Sequence, residues 1–307
     1  MNPQKANKLV FFISFGIILF LLNAPLRVDN EMEMRNRQIS SNIVIDTEKK
    51  GLIVAVINTP KSGTGMLANN FIHGEFFQCQ DAENLGVSSR YKNCINDRNV
   101  IRTHDAMAGN NAILAARQEI PNGAEAQCVI LTATRDPILY VVSNFAESYK
   151  RDLCDGNYSY EEMEARFHNF VMNEGAVQIG ISGSRPILFK AFGTTFKEEM
   201  KKVRFNGGYS VIQHSGKNDE PFQNCELLFL DMEYNQKWND ILQTQFSGMV
   251  KLGDYYRTRK GHCPNMAEKY DRLQKRGLTE EELAHILSDP NEDVREYFAA
   301  YGHEAKH

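Results

Sequence analysis

Three short stretches of this chain hold residue types that together can bind an anion and take up a proton. The first is Asn58-Thr-Pro-Lys-Ser-Gly-Thr-Gly65, directly after the most apolar run of the chain's body, Gly51-Leu-Ile-Val-Ala-Val-Ile57. A small-residue turn between a strand and a helix offers backbone N–H groups and a helix N-terminus to an anion. Lys61 precedes the glycines here. In the ATP-binding loop G-x-x-x-x-G-K-[ST] the lysine follows them, and that pattern is absent. The second stretch is Thr134-Arg-Asp-Pro137, with Ser143 beyond it. Asp136-Pro137 reads as a helix start with proline in the first turn. That start holds Arg135 at the preceding strand end and sets Ser143 about two turns along the helix, within reach of the same anion. The third stretch is Ile101-Arg-Thr-His-Asp105. A histidine at a strand end, with a pKa near neutrality, suits a general base. The plainer readings are a tight turn with an exposed lysine, a surface arginine in an ion pair, and a hydrogen-bonded strand-end histidine.

These residues need a scaffold that brings strand ends together. Short apolar runs predict strands at Leu52–Ile57, Asn99–Thr103, Cys128–Thr134 and Glu226–Leu230, with a further one at Tyr209–Gln213. Helical patterns fall between them at Met66–His73, Ile138–Lys150, Tyr160–Val171 and Gln236–Phe246. Near-continuous apolar strands alternating with helices predict a parallel sheet covered on both faces, an α/β domain over 49–307. Ligands of such sheets sit at the carboxyl ends of the strands, where all three stretches fall.

The N-terminus is different in kind. Lys5 and Lys8 precede the apolar run Leu9–Leu22, whose character extends to Leu26, and Asp29, Glu31 and Glu33 follow it. This predicts a tail over 1–8, an uncleaved transmembrane anchor over 9–26, and a polar stem over 27–48. A cleaved signal peptide competes, but Asn23-Ala24 followed by Pro25 is a poor cleavage site. The lysines leave the tail in the cytoplasm and the body on the luminal side. Net charge is −4, from 35 basic and 39 acidic residues, which gives no global field for nucleic acid. The six cysteines form no CxxC pair, which argues against a zinc ribbon or thioredoxin-type site. In a secretory compartment some of them pair. Cys225 and Cys263 flank the last strand and last loop and are the expected disulfide, whereas Cys128, opening a buried strand, is expected as a packed thiol. Asn157-Tyr-Ser159 is a glycosylation sequon. Lys197–Arg204 reads as a solvated helix face, with a groove for an acidic glycan as the sharper alternative. Tyr255-Tyr256 can stack on a sugar or adenine, or pack in the core.

Pro60-Lys-Ser-Gly-Thr64 resembles the 5′-phosphosulfate loop of sulfotransferases, and Arg135-Asp-Pro through Ser143 resembles their 3′-phosphate motif with the same Arg-to-Ser spacing. The likeness extends in weaker form from about residue 51 to 264. Leu228-Phe-Leu-Asp-Met-Glu233 is similar to the family's late strand and acidic turn, and Arg259-Lys-Gly261 to its last nucleotide-binding loop. Gly65-Met66 departs from the Thr and then Trp or Leu that many members carry.

The resemblance implies a P-loop NTPase-like three-layer domain and the donor 3′-phosphoadenosine 5′-phosphosulfate, with no metal required. Lys61 would support the oxygen leaving sulfur. The amides of Ser62, Gly63, Thr64 and Gly65 would hold the 5′-phosphate. Arg135 and Ser143 would hold the 3′-phosphate, with Arg259, Lys260 and Gly261 closing over it. The family's histidine-using members place their base in a similar Thr-His context, which makes His104 the base, with Glu75 and Asp105 as carboxylate runners-up. Together with the anchor this implies a single-pass type II protein of the Golgi membrane, acting on a glycan or glycoprotein. The alternatives are a protein-tyrosine sulfotransferase, a P-loop kinase or NTPase using ATP and magnesium, and an anchored nucleotide-binding protein without turnover.

Overall fold

A computed structural model describes residues 52–58, 62–63, 67, 99–119, 126–155, 158–173, 184–214, 221–246 and 264–304. By its contacts the chain divides into Met1–Asn42 and Ile43–His307, and every described residue belongs to the second unit. The anchor and stem segments lie outside the described residues. Among the described residues no helix is long and apolar enough to cross a membrane.

All five expected strands form: β1 Leu52–Ile57, β2 Asn99–Thr103, β3 Gln127–Thr134, β4 Tyr209–Gln213 and β5 Cys225–Asp231. They make one sheet in the order β2-β1-β3-β5-β4. The pairs β1–β2, β1–β3 and β3–β5 are parallel. The edge strand β4 is antiparallel to β5, which corrects the expectation of a wholly parallel sheet. Residues 214–224 are too few for the crossover that parallel neighbours need.

Alternation along the strands builds a core on each face. Ile53, Ala55 and Ile57 of β1 join Ile101, Ile130 and Phe229 on one side. Val54 and Val56 join Val129, Leu131, Leu228 and Leu230 on the other. Helices cover both sides. The first face carries α1 (Ala106–Glu119), α2 (Pro137–Ser148), α4 (Tyr160–Asn173), α5 (Ser184–Ala191), α6 (Phe196–Phe205) and the late helices α8 (Pro264–Arg276), α9 (Glu280–Leu287) and α10 (Glu292–Ala300). Short α3 (Lys150–Asp155) follows α2. The second face carries Leu67 and α7 (Trp238–Gln245), which follows a 3₁₀ turn at Met232–Lys237. From β1 the chain goes to β2 on one side of it, and from β2 it returns past β1 to β3 on the other, with α1 on the first face. That reversal places a topological switch point between the carboxyl ends of β1 and β3.

Two helices show how sequence sets position. Asp136 caps α2, its Oδ1 accepting from Ile138 N at 2.8 Å and Leu139 N at 3.2 Å, with Pro137 in the first turn as expected. The α6 helix covers the charge-dense Lys197–Arg204, but it is not a wholly solvated face. Glu199 is fully buried and accepts from Thr194 Oγ1 (2.8 Å), Lys202 Nζ (2.7 Å) and Ser210 Oγ (2.5 Å).

The cysteines correct two expectations. Cys128 is not a packed thiol, and Cys225 is not bonded to Cys263: Cys128 and Cys225 form a disulfide with Cα atoms 4.4 Å apart. The cause is register. The two residues pair directly across the parallel β3–β5 ladder, which presents them at bridging distance. Cys154 is also disulfide-bonded. Replacing Cys128 and Cys225 together by alanine is expected to lower the unfolding free energy by about 2–5 kcal/mol in denaturant titrations, since the bond closes a 97-residue span. A loss below about 1 kcal/mol would show the bond to be dispensable.

Candidate functional site

The carboxyl edge of the sheet presents, in spatial order, His104 after β2, Asn58 after β1, Arg135 after β3 and Asp231 at the end of β5. Neighbouring strands lie about 4.8 Å apart, so His104 and Arg135, at the ends of strands two places apart, are separated along the sheet by about 10 Å.

Asn58 organises this edge. It is 1% exposed. Its N–H donates to Thr103 O (3.3 Å), continuing the β1–β2 ladder one step. Its Oδ1 accepts from Ala133 N of β3 (2.5 Å), and its Nδ2 donates to Ser62 O (3.2 Å). Where the main chain leaves the sheet, the carboxamide thus takes over the N–H of the β3 residue level with it.

His104 Nδ1 lies 2.7 Å from Asn58 O. A carbonyl oxygen only accepts, so Nδ1 carries the hydrogen, and in the neutral ring the basic lone pair is on Nε2. His104 is exposed. Asp105, the carboxylate runner-up, is turned to another task. Its Oδ1 accepts from Ala108 N at 2.7 Å, in the first turn of α1. That helix approaches closely because residue 109 is glycine: a Cβ there would lie 2.5 Å from Ile57 Cδ1 and 3.2 Å from Thr103 Cγ2.

Of the predicted anion loop, Ser62 and Gly63 are described. Ser62 is fully buried. Gly63 has φ +81°, and a Cβ there would lie 2.9 Å from Trp238 Cη2. The left-handed backbone and the indole beneath it both require glycine. Trp238, fully buried, is fixed in turn by its Nε1 donating to Asp231 O at 3.0 Å. Leu67 N donates to Gly63 O at 3.0 Å, the i to i+4 spacing of a helical bond.

Arg135 is half-buried and tied at both ends. Its guanidinium Nη2 donates to Tyr270 Oη of α8 at 3.3 Å, and its carbonyl accepts from the Tyr297 hydroxyl of α10. Ser143 lies on the partly exposed stripe of α2, and Arg135 makes its hydrogen bond to Tyr270 rather than to Ser143. The predicted residues Lys61, Thr64, Gly65, Arg259, Lys260 and Gly261 lie outside the described residues. So do Glu75, Tyr255, Tyr256, Asn157 and Cys263. Among the described residues no group of three or more His, Cys, Asp or Glu is placed to hold a metal ion.

Sequence reasoning passed over Asn58, Trp238, Tyr270 and Tyr297. The chain's only tryptophan, set just beyond the acidic turn, was the one available signal. Comparison with protein families and with curated proteins finds no match for this chain.

Asp231 closes the edge at an energetic cost. It is fully buried, and among the described residues its Oδ2 has no hydrogen-bond partner. Its Oδ1 accepts from Glu233 N (3.1 Å) and Tyr301 Oη (3.3 Å). Burial first, then the Glu233 charge, push its pKa up to about 6, against those two hydrogen bonds and Arg204. Unfolded, an aspartate ionises near 3.8. Between the two values the folded state binds more proton, so stability falls as pH rises through that window and the cost is complete above it. Asp231→Asn is expected to raise stability at pH 7.5 by about 1–3 kcal/mol and to flatten its decline between pH 4 and 6. Unfolding curves for both proteins across that range check this, and equal curves would reject it.

Proposed function

We propose that the chain is a sulfotransferase that moves a sulfuryl group from 3′-phosphoadenosine 5′-phosphosulfate to a hydroxyl acceptor, most simply a glycan. The proposal includes a P-loop NTPase-like domain held in the Golgi lumen by an N-terminal anchor. The observation that carries the reading is the flanking of one strand. β1 ends in the small-residue loop, β3 beside it ends in a tethered arginine, and β2 on its other side ends in a histidine whose basic nitrogen is Nε2. A donor with two separate anionic groups fits a site whose anion-binding elements follow adjacent strands at the switch point. The Cys128–Cys225 disulfide suits a secretory compartment.

In this reading Ser62 to Gly65 hold the 5′-phosphate, and Arg135 with Ser143 hold the 3′-phosphate. Arg259, Lys260 and Gly261 close over the nucleotide. His104 Nε2 takes the proton of the acceptor hydroxyl as its oxygen bonds to sulfur. The sulfur–oxygen bond to the nucleotide breaks in line, and Lys61 supports the departing oxygen. The products are the sulfate ester and adenosine 3′,5′-bisphosphate.

Trp238 lies against the loop, so its emission reports ligand binding. Adenosine 3′,5′-bisphosphate is expected to bind the purified chain without magnesium. Arg135→Ala is expected to weaken binding about 10–100-fold, the effect of a lost charged hydrogen bond. With labelled donor and a mixed glycan acceptor, His104→Ala is expected to lower turnover about 10²–10⁴-fold while leaving bisphosphate affinity intact. Preference for ATP with magnesium, indifferent to Arg135, would overturn the reading in favour of phosphoryl transfer.

A further inference from the structure

We propose that Asn58 is a positioning residue that ties the proton-accepting histidine to the anion loop, so that the two are set as one unit. The inference rests on the transferase reading of this edge for its consequence, but not for its geometry. Three groups with separate tasks meet at this one buried side chain and its peptide: the His104 ring through Asn58 O, the loop through Nδ2 to Ser62 O, and β3 through Ala133 N to Oδ1. A carboxamide is the side chain that can do this. It offers one acceptor and one donor on a short, planar group, and here each faces a main-chain partner of the opposite kind. Without it, the Ala133 N–H and the Ser62 C=O each lose a buried partner, and the Asn58 peptide that faces the His104 ring loses its side-chain tether to β3 and to the loop. The small recess beside Asn58, with Thr132 and Arg185 among its lining residues, has room for about one water, too little to rebuild both bonds.

The consequence is a tautomer and its position. A free neutral imidazole prefers hydrogen on Nε2, which would leave the basic nitrogen facing the sheet. The Asn58 carbonyl reverses that preference, and the carboxamide keeps the carbonyl in place. Among the described residues, the neighbours of position 58 that carry or can acquire charge are His104 and Arg185.

The test uses the full chain labelled with ¹⁵N-histidine and no nucleotide, with the His104 signal assigned by its loss in His104→Gln. At pH 8 the wild-type ring is expected to be protonated on Nδ1. Asn58→Ala is expected to shift it to a mixture dominated by Nε2–H and to weaken adenosine 3′,5′-bisphosphate binding at least tenfold. A second variant guards against simple misfolding. In Asn58→Asp the protonated acid mimics the amide, accepting from Ala133 N and donating to Ser62 O. Measured at each pH against the wild type, so that ionisation of the ligand's own phosphates cancels, its bisphosphate affinity is expected to match wild type at low pH and to fall below it as the acid ionises. An Nε2–H ring in the wild type would overturn the proposal, as would an Asn58→Ala protein with unchanged tautomer and affinity. If the wild type bound no bisphosphate, the transferase reading would fail, and the ring signal alone would decide the tie.

Discussion

A parallel strand that ends inside a protein strands the polar groups its neighbours held out to it, and burial makes each of them costly. β1 meets this problem in full, because it is paired on both sides and covered on both faces. The chain meets it with Asn58. The main-chain N–H serves β2, the side chain serves β3, and the side chain's other end reaches forward to hold the loop that follows. The ends of β1 and β2 and the first residues of the loop take their place from this exit. The histidine is oriented by the same peptide, and the loop cannot drift from the sheet without breaking a buried bond.

The edge is closed from the other side by the last helices. Tyr297 reaches the Arg135 carbonyl, Tyr301 reaches Thr134 and Asp231, and His303 Nε2 meets Asp136 Oδ2 at 2.8 Å. The ends of β3 and β5 and the cap of α2 are therefore fixed by residues far away in sequence. Asp231 is the awkward member, being buried with one oxygen unserved. Its carbonyl nevertheless holds Trp238, the floor of the Gly63 turn. The acid stands where the strand end, the tyrosine clamp and the Gly63 turn meet.

What could be read in the sequence follows from which interactions are local. Leu52–Ile57 and its parallel partners declare themselves because strands buried on both faces are apolar at every position. Asp136-Pro137 declares α2 because capping is decided within a turn. The α1 helix was missed because Ala106–Glu119 mixes two asparagines and a glycine into its length, and Gly109 is there for contact with Ile57 and Thr103, which no local pattern reveals. The cysteine pairing was misread for the same reason. Cys128 and Cys225 each open a strand, but only the β3–β5 register makes them neighbours. His104 and Arg135 were visible as residues, whereas the bonds that orient them, to Asn58, Tyr270 and Tyr297, all join distant parts of the chain.

The charge balance explains why such orientation matters. With a net charge of −4 the molecule does not draw anions in from a distance, and at physiological salt a charge acts over only about 8 Å. An anionic ligand of the kind proposed would have to be held by groups already in place at contact. Ordering a long side chain at the moment of binding costs about 0.5–1.5 kcal/mol. Arg135 avoids much of that cost because Tyr270 holds its guanidinium and Tyr297 its carbonyl before any ligand arrives. Gly63 avoids it in another way, since its turn is pressed against a buried indole. The same tyrosines and tryptophan that stabilise the sheet edge thus set the Gly63 turn and the arginine in advance.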